Sequence, residues 1–395
     1  MKKVVLTVAA ILALIVLVLL VTRTQSPPSL PAQASPTRVV SESTSTRPAA
    51  STYAPSTRNG LTPPSLLYLT ENRLYQQQPD GTRSMIASLG DKGDVMSAIK
   101  LKDTVFVLRR KGLQRVELEG GKTEMVVWFD STPLSGELIK TSNDNVVLYS
   151  IALDSDCSST GIGSMLGLYQ IDNRASRPFF AKDEHYIQPV GLTADKQSVY
   201  GFPRGCAPGF GEFWLISTDK GEITAKLIIW DATSKESSEG RNAALSPDAR
   251  FLAFGTLVEA ENSVRYRLRI FDLEDITIES HELPNPPSHI WDGLLWSPNN
   301  QRLYFVLNPG LPYDEPSKSY GLWNLDIETG IFSQVTSIQD PYMRLGSISS
   351  DGQWILLQPE ALQSVITYVH LPTGEQVAIS LPPGVVNQIV WMIVR

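Results

Sequence analysis

The chain has 395 residues, of which 42% are hydrophobic, and a formal net charge of −7. This length is sufficient for one large globular domain with its own apolar core. The acidic balance and the lack of Lys/Arg runs in the sequence argue against a nucleic-acid partner.

The first 23 residues predict a membrane anchor. Val4–Thr22 is apolar and carries no charge, and it follows Lys2 and Lys3. About 20 apolar residues span a bilayer as a helix, and the positive flank keeps the N-terminus in the cytoplasm. The competing interpretation is a cleaved secretory signal cut near Ala32–Ala34, although such signals have a shorter apolar core. The anchor predicts a single-pass cell-membrane protein whose remainder is extracytoplasmic.

Residues 24–64 predict a disordered tether. They are rich in Ser, Thr, Pro and Ala, contain one acid, Glu42, and show no apolar period. Such a segment cannot bury enough apolar surface to offset the entropy of ordering it. A flexible chain of this length has a root-mean-square span of about 35 Å.

A repeated turn in the second half of the chain predicts the fold. Four times a small-residue turn precedes a β-branched or aromatic stretch, and the final Asp or Asn residues are 53, 51 and 52 positions apart. The four copies are Leu192–Asp195, Leu245–Asp248, Trp296–Asn299 and Ile348–Asp351. A constant period of this size with strand-like content is typical of a β-propeller in which each repeat forms one blade.

A second repeat, an aromatic-rich strand followed by a polar turn and another strand, counts the blades. Its seven copies are Leu74–Gly81, Leu113–Gly121, Leu168–Asn173, Phe213–Gly221, Leu268–Asp275, Leu322–Gly330 and Ile366–Gly374. Asn, Asp and Gly recur at the turns because tight hairpins require positive φ.

The two ends of the repeat array complete each other. The first blade, residues 66–89, has only three strands, and Asn387–Val394 is a lone extra strand. Because an open ring would leave two sheet edges unpaired, we expect the last strand to complete the first blade. The predicted fold is an all-β, seven-bladed propeller of four-stranded antiparallel blades over residues 65–395, preceded by a single transmembrane helix.

The repeat resembles that of the TolB-like, WD-repeat-like propeller family, which reads Ser-Pro-Asp-Gly followed by an apolar strand. Ser246–Ala249 with Phe251–Phe254 matches best, Asp351 and Gly352 retain the acid and the glycine, and Ser297–Asn300 lacks the acid. The resemblance covers about residues 66–395 and implies the fold. Members include binding proteins, scaffolds and the substrate-filtering domains of prolyl-oligopeptidase-like enzymes, so the function has to be argued from sites.

Catalytic patterns are scarce in the sequence. The four histidines lack metal-ligand spacing, and Gly163–Gly167 does not have the Gly-x-Ser-x-Gly register of a hydrolase. Asp154–Thr160 alternates oxygen donors but lacks the glycine and the distal Glu of a calcium loop. The sequence therefore predicts no catalytic residue, no metal site and no cofactor.

Loop length predicts a binding face. The connection between second and third strands is tight in blades one and two and longer in blades three to six, at Leu153–Gly167, Phe202–Glu212, Leu257–Arg265 and Asn308–Tyr320. Long ordered loops are typical of binding surfaces. The candidate polar anchors on this face are Asp154, Asp156, Arg204, Glu212, Tyr313, Asp314 and Glu315. Loops joining consecutive blades add His185, Tyr186, His289, Trp291 and Tyr342, for whose aromatic rings the alternative is packing between blades.

Two cysteines, Cys157 and Cys206, follow the second strands of neighbouring blades. In an oxidising compartment this arrangement predicts a disulfide, and the alternative is two unrelated thiols. Trp296, Trp323 and Trp391 lie in strands and are predicted to be core residues.

The resulting functional prediction is a non-enzymatic, membrane-anchored binding or scaffold propeller with a protein or glycan partner. Two alternatives stay open at this point. One is an enzyme that acts on glycans or peptides at the central channel, and the other is a structural or sensor module of the cell envelope.

Overall fold

The computed structural model describes residues 61–70, 72–90, 95–141, 144–153, 164–180, 186–204, 212–228, 236–260, 263–284, 289–308, 321–338, 343–359, 365–381 and 385–393. The predicted anchor and residues 24–60 of the predicted tether lie outside these residues, whereas residues 61–64 of the tether are described, with Leu61 packed against an apolar cluster. The described part of the chain includes no apolar helix of bilayer-spanning length.

The described residues form strands and turns. The strands are β1 (Ser65–Thr70), β2 (Arg73–Gln77), β3 (Arg83–Ser88), β4 (Val95–Leu101), β5 (Thr104–Arg109), β6 (Gly112–Glu117), β7 (Thr123–Trp128), β8 (Ser135–Lys140), β9 (Val146–Ala152), β10 (Ser164–Gln170), β11 (Ala175–Phe180), β12 (Tyr186–Leu192), β13 (Ser198–Arg204), β14 (Glu212–Ser217), β15 (Ile223–Ile228), β16 (Glu236–Leu245), β17 (Phe251–Ala260), β18 (Ser263–Asp272), β19 (Thr277–Glu282), β20 (His289–Trp296), β21 (Arg302–Asn308), β22 (Gly321–Asp326), β23 (Phe332–Ser337), β24 (Met343–Ile348), β25 (Trp354–Pro359), β26 (Val365–His370), β27 (Glu375–Ser380) and β28 (Val385–Ile393).

These strands form seven four-stranded antiparallel sheets, which confirms the predicted blade count. Six sheets consist of four consecutive strands, from β4–β7 in blade two to β24–β27 in blade seven. Blade one has the order β28-β1-β2-β3, so the C-terminal strand supplies its inner strand, as predicted. Leu67 of β1 lies opposite Trp391 of β28.

The inner strands close a ring. Each inner strand contacts the inner strand of the next blade, and β28 contacts both β24 and β4. Across the closure, Leu66 and Tyr68 of blade one pack in one apolar cluster with Trp354 and Tyr368 of blade seven. The first and last blades are therefore packed neighbours in the same way as consecutive blades.

The apolar core lies between neighbouring blades. Phe106 and Leu108 of blade two, for example, pack against Val147, Tyr149 and Tyr169 of blade three. A middle strand covered on both faces is apolar throughout, and every residue of β9 is buried. By contrast, the outer strand β19 is almost entirely exposed.

Two of the three tryptophans predicted to be core residues are buried in the structure. Trp296 is 5% exposed and Trp323 is 9% exposed. The side chain of Trp391 lies outside what the structure describes.

Local hydrogen bonds explain the Ser-Pro-Asp repeat. In blade five the Ser246 hydroxyl donates to Asp248 Oδ1 (2.5 Å) and accepts from the Phe251 N–H (2.8 Å). Asp248 Oδ1 also accepts from the Arg250 N–H (3.1 Å). The same bonds recur in blade four, where Thr193 replaces the serine, and in blade seven. The hydroxyl and the carboxylate are thus required by the turn itself.

Each kind of turn also contains a residue with positive φ. In five of the turns between the first and second strands this residue is Lys102, Lys196, Ala249, Asn300 or Gly352. In the turns between third and fourth strands it is Gly81, Gly121, Arg174, Gly221, Ile276, Gly330 or Gly374. Glycine adopts this conformation without the steric cost of a Cβ, so the non-glycine positions are strained.

The ring has two rims that differ in their connections. The turns between first and second strands and the turns between third and fourth strands lie on one rim, which we call the tight-turn rim. The connections between second and third strands and the connections between blades lie on the other, the loop-rich rim. β1 begins at the tight-turn rim, because its last residue, Thr70, is connected to β2 at the loop-rich rim.

Candidate functional site

Most of the predicted site residues lie outside the described part of the chain. These are Asp154, Asp156, His185, Tyr313, Asp314, Glu315 and Tyr342, together with Cys157 and Cys206. The binding role of these residues and the disulfide stay predictions.

The other five lie in strands at the loop-rich rim. Tyr186 begins β12 and Arg204 ends β13, and the two are paired across the sheet. Glu212 begins β14, His289 begins β20, and Trp291 is its third residue. The expectation that Tyr186, His289 and Trp291 lie in loops between blades was wrong, because the inner strands extend by backbone pairing as far as these residues.

The predicted long connection in blade five is also wrong. Strands β17 and β18 continue until Ala260 lies opposite Ser263, so only residues 261–262 separate them. Glu259 and Arg265 lie within the residues predicted as the loop, and in the structure they belong to an extended hairpin. Backbone pairing continues there because each further residue pair adds ladder hydrogen bonds. The strands of blades three, four and six are separated by residues 153–163, 205–211 and 309–320.

Glu212 is engaged within its own blade. Trp214 Nε1 donates a hydrogen bond to Glu212 Oε2 (3.0 Å), and Lys226 Nζ lies 3.9 Å from the same oxygen. The Lys226 ammonium also lies 4.5 Å from the centre of the Trp214 ring. The contact with Lys226 joins β14 to β15, and the binding role of Glu212 stays a prediction.

Sequence reasoning missed an exposed aromatic at the loop-rich rim. Trp128, the last residue of β7, is 68% exposed, and Leu134, just before β8, is 49% exposed. Trp128 lies opposite Gly112, which follows the exposed turn residues Arg110 and Lys111. A tryptophan at the end of an outer strand was the available signal, but its exposure depends on neighbouring elements. Trp and Arg are the residue types most enriched at the energetic centres of protein interfaces.

Gly112 fixes the position of this basic turn. Its φ is +152°, and a Cβ there would lie 1.9 Å from the Val127 carbonyl oxygen. The Phe129 N–H donates to the Lys111 carbonyl (3.0 Å), which ties the turn to the end of β7. The basic turn and Trp128 are therefore held side by side by the backbone.

The shifted pKa values in the described residues have structural causes. The hydroxyl of Thr193 and the N–H of Gln197 lower the pKa of Asp195. Burial acts to raise the pKa of Asp272, but hydrogen bonds from Arg250 and from backbone N–H groups outweigh it and the pKa is lowered. Burial raises the pKa of Tyr149 and Tyr368. Each of these pKa shifts is explained by the turn or by the apolar core in which the group lies.

Among the described residues, no group of three or more His, Cys, Asp or Glu side chains is arranged to hold a metal ion.

Comparisons with known proteins extend only to the fold. No protein-family model matches the sequence, and no curated protein matches it. Solved structures do match. An oligogalacturonate lyase in complex with manganese has 12% identity over 79% of this chain and 83% of that chain, with a TM-score of 0.57.

Two further matches have lower TM-scores. Apo AztD from Citrobacter koseri has 9% identity over 82% of this chain and 96% of that chain, with a TM-score of 0.48. The β-propeller domain of Cps50 (Swd1) from Myceliophteria thermophila has 15% identity over 82% and 98%, with a TM-score of 0.41. The lyase match shows a common fold and, at 12% identity, transfers no activity. By its own strand pairing and by the lyase match, the chain is a β-propeller.

Proposed function

We propose that this protein is a non-enzymatic binding propeller of the TolB-like, WD-repeat-like type that recognises a protein or glycan partner through its loop-rich rim. In this proposal residues 1–23 anchor it in the cell membrane, and residues 24–64 tether the propeller outside the cell. The observation that carries the proposal is the exposed Trp128 beside the basic turn of Arg110 and Lys111.

An exposed tryptophan leaves apolar surface that a partner can bury. Burying a large apolar side chain contributes about 1.5–3 kcal/mol, and Trp128 leaves most of that free energy unused in the isolated chain. Its ring can pack on an apolar side chain or on the apolar face of a sugar. The two adjacent cations favour a partner with negative charge, such as an acidic protein surface or an acidic glycan.

The geometry of the loop-rich rim supports a partner that covers more of this rim than Trp128 alone. The long connections of blades three, four and six emerge at the same rim as Trp128. β1 begins at the opposite rim.

The test uses the full chain and two variants. Each is cross-linked to its partner, and the partner captured from solubilised membranes is compared between the three proteins. Trp128→Ser is expected to reduce recovery of the partner on the order of tenfold, as for an interface hot spot. Ile276→Ser, which alters a similarly exposed apolar residue on the tight-turn rim, is the matched control and should retain the partner. Equal recovery by all three proteins would contradict the proposal.

Two treatments complete the experiment. Digestion of the captured material with protease or with glycosidases distinguishes a protein partner from a glycan. Protease protection of intact cells tests the anchor, since the proposal expects the propeller to be cleaved or released from the outside.

A further inference from the structure

A cavity lies on the tight-turn rim between blades three and four. Its volume is about 270 Å³. The floor consists of the buried side chains Val146, Leu168 and Leu192. Two cationic side chains, Arg177 and Lys196, line it and are exposed to solvent. The cavity therefore combines an apolar interior with positive charge at its mouth.

The two cations are not equivalent. Arg177 forms an ion pair with Asp219, which neutralises it. Within the described part of the chain, the Lys196 ammonium makes no hydrogen bond or ion pair. Lys102, at the equivalent turn of blade two, instead donates to Asn145 Oδ1 (2.5 Å). Among the described residues, Lys196 thus adds a positive charge to the cavity mouth that no hydrogen bond or ion pair offsets.

The backbone holds Lys196 in a conformation that does not suit a lysine. Its φ is +64°, a value that Gly352 adopts at the equivalent position of blade seven without strain. The buried Thr218 hydroxyl bonds the carbonyl oxygens of Lys196 (3.3 Å) and Gln197 (3.1 Å), which fixes the turn. The same backbone conformation recurs at Lys102, Ala249 and Asn300, so it belongs to the repeated turn, and in blade four the turn holds Lys196 at the cavity lining.

We propose that this cavity binds a small monocarboxylate with a compact apolar body. The apolar group lies on the floor and the carboxylate pairs with Lys196 at the mouth. The volume is just below the roughly 300–1,000 Å³ of pockets for drug-sized ligands, so it suits a smaller molecule. The apolar floor and the single free charge match a monocarboxylate better than a phosphate, which carries about −1.5 to −2. The site is on the opposite rim from Trp128 and is independent of the proposed function.

The test uses the full chain with isocaproate and its neutral amide, isocaproamide, titrated by ligand-observed NMR. Wild type is expected to bind the acid on the order of tenfold more tightly than the amide, because only the acid forms a charge-assisted hydrogen bond with Lys196. Lys196→Gly should remove this preference while keeping the fold, since glycine relieves the turn. Lys220→Ala, in the neighbouring turn and outside the cavity lining, is the matched control and should keep the preference.

A second variant tests the cavity itself. Ala175→Leu, in the cavity wall on the exposed side of β11, should fill the space and abolish binding of both probes. Melting curves verify that each variant is folded. The proposal is overturned if wild type shows no saturable binding, binds acid and amide equally, keeps its preference in Lys196→Gly, or is unaffected by Ala175→Leu.

Discussion

The hydroxyl of Ser246 is predicted to be a major stabilising group of blade five. Ser246 is 2% exposed, and its hydroxyl donates to Asp248 Oδ1 and accepts from the Phe251 N–H. Ser246→Ala removes both bonds and leaves the Phe251 N–H without this acceptor. Ser246→Thr is the matched control, because Thr193 makes the same two bonds at the equivalent turn of blade four (2.5 and 3.1 Å).

The magnitude follows from the two lost bonds. A hydrogen bond to a charged group contributes about 1.5–3 kcal/mol, and a buried donor left unsatisfied costs about 1–3 kcal/mol. Because Asp248 itself is exposed, its bond lies at the lower end, and we expect a total loss of about 2–4 kcal/mol for Ser246→Ala. Ser246→Thr keeps the hydroxyl and should stay within about 1 kcal/mol of wild type.

Urea denaturation followed by circular dichroism measures these differences. The expected result is a clear drop in the midpoint for Ser246→Ala and a small change for Ser246→Thr. Equal midpoints for the two variants would refute the reasoning, since the repeat would then not depend on the hydroxyl.

Three other predictions concern pH, backbone strain and the cysteines. The pKa of Asp195 is lowered by the Thr193 hydroxyl, so its contribution is complete above the unfolded pKa of about 3.9 and is lost as the pH falls through the lower folded value. The difference in melting temperature between wild type and Thr193→Val should therefore shrink below about pH 4, and a difference that did not change with pH would argue against the assignment. Ile276→Gly should change the free energy of unfolding by less than about 1 kcal/mol, because relief of the left-handed strain offsets the flexibility of glycine. Ile278→Gly, within β19, should cost more, and urea denaturation of both variants checks the contrast. Cys157 and Cys206 should resist thiol labelling in the denatured, unreduced chain, and mass spectrometry showing two labels would reject the disulfide.

The ring architecture could be predicted because it is specified by local chemistry. The contacts of Ser246 with Asp248 and Phe251 span at most five residues, so the turn leaves a readable motif in blades four to seven. The positive-φ residues of the hairpins are similarly local, and Gly221 and Gly374 mark them directly. Closure by β28 followed from counting strands, because the first blade lacked one and the C-terminus had one to spare.

The candidate sites could not be predicted because they depend on non-local geometry. Whether Trp128 is buried or exposed is decided by how much of β7 the neighbouring blade covers, and no short pattern records this. The cavity at Lys196 is built from strands and turns of two blades. The β17–β18 hairpin was missed because no short pattern distinguishes a pairing that continues through Glu259 and Arg265 from a loop.

Deletion of residues 385–395 tests the closed ring most directly. It removes β28, which leaves β1 with an unpaired edge and breaks the contacts of the ring with β24 and β4. A control that ends at residue 393 keeps all of β28. Thermal unfolding followed by calorimetry should show a cooperative transition for the full chain and the control and none for the deletion. A deletion mutant that unfolded cooperatively at the same temperature as the full chain would contradict the account.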